Sequence, residues 1–302
     1  MRSILMILSF VVGGLLHEQL APWQGWLRFG IAIMLTVSFI GLDVSRLKPR
    51  RMHLVLLLAL QGIGLGSCLL ARAAGCPILA ESLYYCGGAP VAAAIPVIIN
   101  LLRADVEFAT TAMVLSHAVF ALVTPLVLPL VVHDPQMGYA ELALLVAQQL
   151  ATVLAAPAII SVALRYFYPP CKAWAPKLRD FSLGIWIFNL SIISASGTHR
   201  VIMMGYNWVD MAPMAIGAAV ICAFGFLFGY RLGYPDLKRE CSQILGQKNT
   251  ILTLYIAGQP YATPLAYIGP VFYVFYHNFA NAVQLSLAER ERKRNAQQKE
   301  KA

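Results

Sequence analysis

The sequence predicts an all-α integral membrane protein with ten transmembrane helices. Three observations lead there. The 302 residues are 59% hydrophobic and only 12% charged, with a mean hydropathy of +0.68, whereas soluble domains carry about 25% charged residues. Apolar stretches recur along the whole chain at roughly 17–25 residues, the length that crosses a hydrocarbon core of about 30 Å. The Lys and Arg residues collect in alternate loops, as oriented insertion requires. A β-barrel would show alternating segments of about ten residues, and the sequence contains none.

In order, the spans fall at 3–20, 27–43, 52–72, 78–102, 106–131, 139–167, 180–197, 209–234, 241–258 and 263–288. The first has the length of a signal peptide, but His17, Glu18, Gln19 and Leu20 before Ala21 make a poor cleavage site, so it reads as a helix. With the N-terminus inside, nineteen of the twenty-three basic residues lie on the cytoplasmic side. Three, Arg28, Arg72 and Arg200, lie outside, and Lys248 alone falls at hydrocarbon depth. This asymmetry predicts a multi-pass protein of the plasma (inner) membrane with both termini cytoplasmic. The net charge of +9 is then topological, and nucleic acid is not an expected partner. One transmembrane domain covers 1–288, with halves 1–131 and 139–288. A charged tail, 289–302, carries Arg290, Arg292, Lys293 and Arg294 towards anionic lipid.

The fourteen acidic residues all fall at span ends, in loops or in the tail, Asp43 being the deepest. The interior is therefore expected to lack the carboxylate relay common in ion-coupled transporters. The six cysteines show no metal-binding spacing and read as small buried hydrophobes. A Cys76–Cys86 disulfide stays open.

Two spans carry helix breakers at their centres. The fourth holds Gly87-Gly88-Ala89-Pro90 and then Pro96; the ninth holds Gly246-Gln247-Lys248-Asn249-Thr250, with Gly258-Gln259-Pro260 at its end. Proline removes a backbone donor and glycine weakens a helix, so in lipid such breaks belong where protein or a watery cavity serves the freed groups. Each break is followed in the next span by a polar pair, Ser116-His117 and His277-Asn278, 30 residues after Gly87 and 31 after Gly246 at their histidines. Two five-helix halves of opposite orientation, each broken at its fourth helix, make the pattern of an inverted-repeat transporter. Unwound segments at the midplane expose helix ends that can hold ions or anions.

At these motifs the chain resembles the bile acid:sodium symporter family, from about Gly41 to Leu287. Gly41-Leu42-Asp43, Gly87-Gly88, Arg103-Ala104-Asp105 and Thr124-Pro125 follow its first half; Gly246 to Thr250 and Tyr276-His277-Asn278 follow its second. The resemblance implies ten helices in two inverted repeats, with helices four and nine broken and crossing. Against the family's pattern Glu-x-Gly-x-Gln-Asn-Ser, the Glu position is Ile244, the Gln is Lys248 and the Ser is Thr250. Ala92-Ala93-Ala94 follows the first break where the family has Ser-Asn, and fifth-helix hydroxyls fall on Ala109 and Met113. A hard cation wants oxygen ligands, so sodium coupling is not expected, and no other cofactor is implied.

The expected binding set is Gly87, Gly88, Pro90, Ser116, His117, Gln247, Lys248, Asn249, Thr250, His277 and Asn278. Lys248 has three functional readings: a substitute for a bound cation, a proton carrier, or an anchor for an anionic substrate. A snorkelling lysine is the structural one. His117 and His277 read either as titrating groups or as hydrogen-bonding packers, and Asn249 and Asn278 as braces for unwound backbone. Gln148 and Gln149 are candidates to line a cavity. The basic interior favours a secondary transporter for a small organic anion. A non-transporting sensor or scaffold of the same fold is the alternative. An enzyme is not expected, since HExxH, a catalytic Asp pair and Ser-x-x-Lys are missing at membrane depth.

Overall fold

The computed structural model describes residues 2–42, 44–132 and 137–300. Asp43 and the last two residues of the tail lie outside that set. The described chain is all helical: α1 (Arg2–Leu15), α2 (His17–Leu20), α3 (Leu27–Ile40), α4 (Arg51–Ala73), α5 (Pro77–Gly87), α6 (Ile95–Leu101), α7 (Val106–Val131), α8 (Tyr139–Leu150), α9 (Ala156–Phe167), α10 (Trp174–Lys177), α11 (Arg179–Met203), α12 (Trp208–Leu232), α13 (Lys238–Gly246), α14 (Thr250–Ala257) and α15 (Ile268–Glu300). A π-helical segment, Ala151–Ala155, joins α8 to α9.

Among the described residues, six helical stretches are long and apolar enough to cross a membrane, among them Arg51–Ala73, Val106–Val131 and Trp208–Leu232. The protein is a multi-span integral membrane protein. Side-chain caps start two of the long helices, α7 and α12. Asp105 accepts from the Phe108 amide at 2.9 Å at the head of α7. Asn207 and Asp210 exchange bonds in a capping box at the head of α12.

The fourth and ninth predicted spans are interrupted at their glycines. α5 and α6 are 11 and 7 residues long, and α13 and α14 are 9 and 8, so none crosses a bilayer alone. Two boundaries differ most from the sequence reading. α11 runs on to Met203, six residues beyond the expected end, because Thr198 and His199 pack against Gly14 and His17. The tenth span begins as a 3-10 turn, Pro264–Tyr267, and then continues without a break to Glu300, so the described part of the tail extends the last helix.

Packing falls into two groups. In the first, α11 is the spine. α1 runs alongside it in the same direction, Ser194 Oγ donating to the Phe10 carbonyl at 2.7 Å. α3 returns antiparallel, with Gly30 against Asn189, and α9 packs on α3. In the second group α12 packs against α5, α13 and α15, and α4 packs against α5 and α7. α13 lies in a groove of glycines, Gly225, Gly229 and Gly233, spaced one turn apart on α12. A methyl group at any of them would collide with a backbone carbonyl of Leu245, Cys241 or Leu237. Small residues at this spacing let helix backbones approach closely where lipid provides no hydrophobic drive.

Candidate functional site: the paired helix breaks

The two breaks meet. Val91 and Lys248 form an isolated antiparallel bridge. The Ala92 amide donates to the Gln247 carbonyl at 3.0 Å, and the Asn249 amide donates to the Pro90 carbonyl at 2.8 Å. Each interruption thus satisfies backbone groups that the other freed, which is what burial away from water demands. Glycine makes the meeting possible. α4 crosses the end of α5 at Gly64, where a methyl would fall 2.5 Å from the Gly88 nitrogen.

A break leaves helix-end carbonyls without donors, and these carry the negative end of the helix dipole. Two such carbonyls, Gly87 and Gly246, occupy matching places in the two breaks and are served differently. Lys248 Nζ donates to the Gly87 carbonyl at 2.8 Å, and the Tyr273 hydroxyl donates to the Gly246 carbonyl at 2.9 Å. Lys248 is 1% exposed, which excludes the snorkelling reading.

The pair Ser116-His117 on α7 stitches both breaks. Ser116 Oγ accepts from the Val91 amide at 3.1 Å and donates to the Met113 carbonyl at 2.8 Å. His117 Nδ1 lies 2.9 Å from the same carbonyl, which can only accept, so Nδ1 carries the proton. Nε2 then accepts from Asn249 Nδ2 at 3.0 Å. Asn249 caps α14, its Oδ1 accepting from Leu252, and Thr250 opens that helix as a buried residue. Eight of the eleven expected site residues, Gly87, Gly88, Pro90, Ser116, His117, Gln247, Lys248 and Asn249, therefore belong to one bonded cluster or its helix caps.

His277 and Asn278 do not join it. Asn278 donates to the Val274 carbonyl of its own helix at 2.7 Å. His277 stands edge-on to the Tyr273 ring, and its Nδ1 has no partner among the described residues. The contact expected of this pair is made by Tyr273, one turn earlier; the equal spacing of the two pairs hid this, since it says nothing of which helix face turns inward. Other buried polar atoms near this part of the chain also lack partners among the described residues: Gln247 Oε1, Gln243 Oε1 and both amide atoms of Asn281.

The expectation of a carboxylate-free interior needs correction. Glu81 and Glu240 are buried, 2% and 4% exposed. Both lie at predicted span ends, but protein rather than lipid covers them. Glu81 Oε1 accepts from the Thr263 amide at 2.9 Å and from the Tyr85 hydroxyl at 3.0 Å. Glu240 Oε1 accepts from the Asp105 amide at 2.6 Å. Each glutamate stands six residues before a break glycine, and each holds the loop that follows the other broken helix. Cys76 and Cys86, at opposite ends of α5, are free thiols.

A cavity of about 600 Å³ opens between the two packing groups at the end where α11 begins. Leu42 and Ser182 line it from one group, and Ala93, Glu107 and Met113 from the other. Arg46 and Glu107 face each other at 3.7 Å, both well exposed. The cavity reaches the flank of the crossing at Ala93 and Met113, but none of the eleven expected site residues lines it. Gln148 and Gln149 do not line it either: Gln148 is exposed, and Gln149 bonds to Gln259 and Tyr261. Sequence reasoning missed Arg46, Glu107 and Ser182 because they lie near span ends, where charge and hydroxyl groups are ordinary.

No protein-family model matches the chain, and no curated protein does either.

Proposed function

We propose that this protein is a secondary transporter that carries a small organic anion across the plasma membrane by alternating access, with the fold of the bile acid:sodium symporter family. In this reading ten spans form two inverted five-span repeats, both termini are cytoplasmic, and the two packing groups move against each other. The observation that carries it is the bonded crossing of two interrupted helices beside a cavity open at one end. Broken helices at the midplane are costly unless a pathway uses them. The reciprocal glutamates support the repeat, since each half supplies a buried carboxylate at the same distance from its break. The distribution of basic residues supports the orientation.

The Lys248 bond supports an uncoupled or proton-coupled cycle over a sodium-driven one. The Lys248 amine is seated against the Gly87 helix end, where a mobile cation would otherwise be attracted. The test is uptake of labelled organic anions into proteoliposomes, together with a thermal-shift screen of the same anions with and without sodium. Saturable, sodium-independent uptake is expected. Binding without uptake would favour a sensor, and stabilisation that requires sodium would overturn the reading of Lys248.

A further inference from the structure

At the end of the molecule opposite the cavity, side chains of α11, of the turn before α3 and of α8 grip the segment that follows α14. Gly258 is the C-cap of that half-helix, so its carbonyl projects from the negative end of the helix. Two donors converge on it. Arg200 of α11 donates at 2.6 Å, and Gln24 Nε2 donates at 2.8 Å. Arg200 also donates to Gln24 Oε1 at 3.3 Å, and its guanidinium stacks over the Tyr267 ring at 5.1 Å. A second grip comes from α8. Gln149 Nε2 donates to Gln259 Oε1 at 3.1 Å, and Gln149 Oε1 accepts from the Tyr261 hydroxyl at 2.8 Å. Both amide atoms of Gln149 are thus spent on the 258–263 segment.

Location gives these bonds their meaning. Ser182, at the cavity, and Arg200, at the grip, lie on the same helix α11, about 27 Å apart by helix rise. One end of the seam between the groups is open, and the other is closed by hydrogen bonds from three separate elements. Gln149 also sits immediately before the π-helical segment Ala151–Ala155. Such bulges interrupt the regular ladder and mark places where a helix bends.

We propose that Gln24, Gln149 and Arg200 form a gate that clamps the 258–263 segment and holds this end shut while the cavity end is open. The proposal rests on the transport reading above. The Gly258 carbonyl would lose its charged donor each time the groups separate here, so the gate's strength sets which end of the pathway is open at rest.

The test uses the full chain in lipid nanodiscs with Cys76, the exposed native thiol, changed to serine. Two reporters are made separately: Ala262→Cys, buried behind the clamp, and Ser182→Cys, at the cavity. Each is labelled with a membrane-impermeant maleimide in the otherwise unchanged protein, in Q149L and in R200Q. Losing either grip removes two hydrogen bonds, so Ala262→Cys should label about tenfold faster, and Ser182→Cys should label more slowly as the other end closes. The two clamp variants lie on different helices, so a folding failure of one leaves the other informative. Unchanged labelling at Ala262→Cys in both overturns the gate. Faster labelling there with no slowing at Ser182→Cys keeps the clamp but sinks the alternating-access reading on which its role depends.

Discussion

Lys248 Nζ and the Gly87 carbonyl are 2.8 Å apart, so the amine carried by one helix break caps the helix end exposed by the other. The bond spans the two halves of the chain, 161 residues apart in sequence. It makes the crossing a single unit in which neither break is satisfied alone.

Removing the donor therefore leaves an unpaired carbonyl in the buried crossing. Lys248→Met should lower stability by about 1–3 kcal/mol, while Lys248→Gln, which keeps an N–H, should lose less. Thermal unfolding of the purified variants in detergent measures both. Relief from burying the amine opposes this loss, so a Lys248→Met protein more stable than the parent would show that the cap adds no net stability. If Lys248 is only a cap, Lys248→Gln should also retain organic-anion affinity with unchanged pH dependence.

The α7 pair should behave as two separate braces. Ser116→Ala orphans the buried Val91 amide and should cost about 1–3 kcal/mol. His117→Ala and Asn249→Ala should not add. Their bond at 3.0 Å predicts a coupling energy of about 0.5–3 kcal/mol in a double-mutant cycle. Additive losses would mean that the two side chains merely adjoin.

The buried glutamates act here as acceptors for backbone amides. Glu81→Gln and Glu240→Gln preserve a carbonyl oxygen, whereas the alanine variants do not. Glu240→Ala should destabilise by about 1–3 kcal/mol through the Asp105 amide, with Glu240→Gln recovering part of the loss. Equal losses in both variants would show that the negative charge, not the acceptor, is what matters.

The glycine groove on α12 should tolerate no side chain at its centre. Gly229→Ala places a methyl against the Cys241 carbonyl, and overpacking of this kind costs about 1–3 kcal/mol. Reduced yield of monodisperse protein on gel filtration is the expected result. A methyl at Gly66, which faces open space, should have no such effect.

Much of the site was legible because helix breakers are explicit in sequence. Gly87-Gly88 and Gly246 marked both interruptions, and Lys248 stood out as the lone basic residue at hydrocarbon depth. The faces of helices were not legible. His277 has the sequence position of a partner to His117, yet Tyr273 makes the bond to the second break. Glu81 and Glu240 looked like residues of span ends and turned out to be enclosed.

The sequence by itself determined that the chain lives in a bilayer, where its helices lie and where two of them break. These follow from hydropathy, glycine and proline, which act locally. Only the tertiary structure decided that the breaks bond to each other, that Lys248 serves Gly87, and that Gln149 and Arg200 reach the 258–263 segment. Those pairings join residues 58 to 161 positions apart. They are set by which helix faces meet, a consequence of close glycine contacts and of the need to satisfy every buried polar group at once.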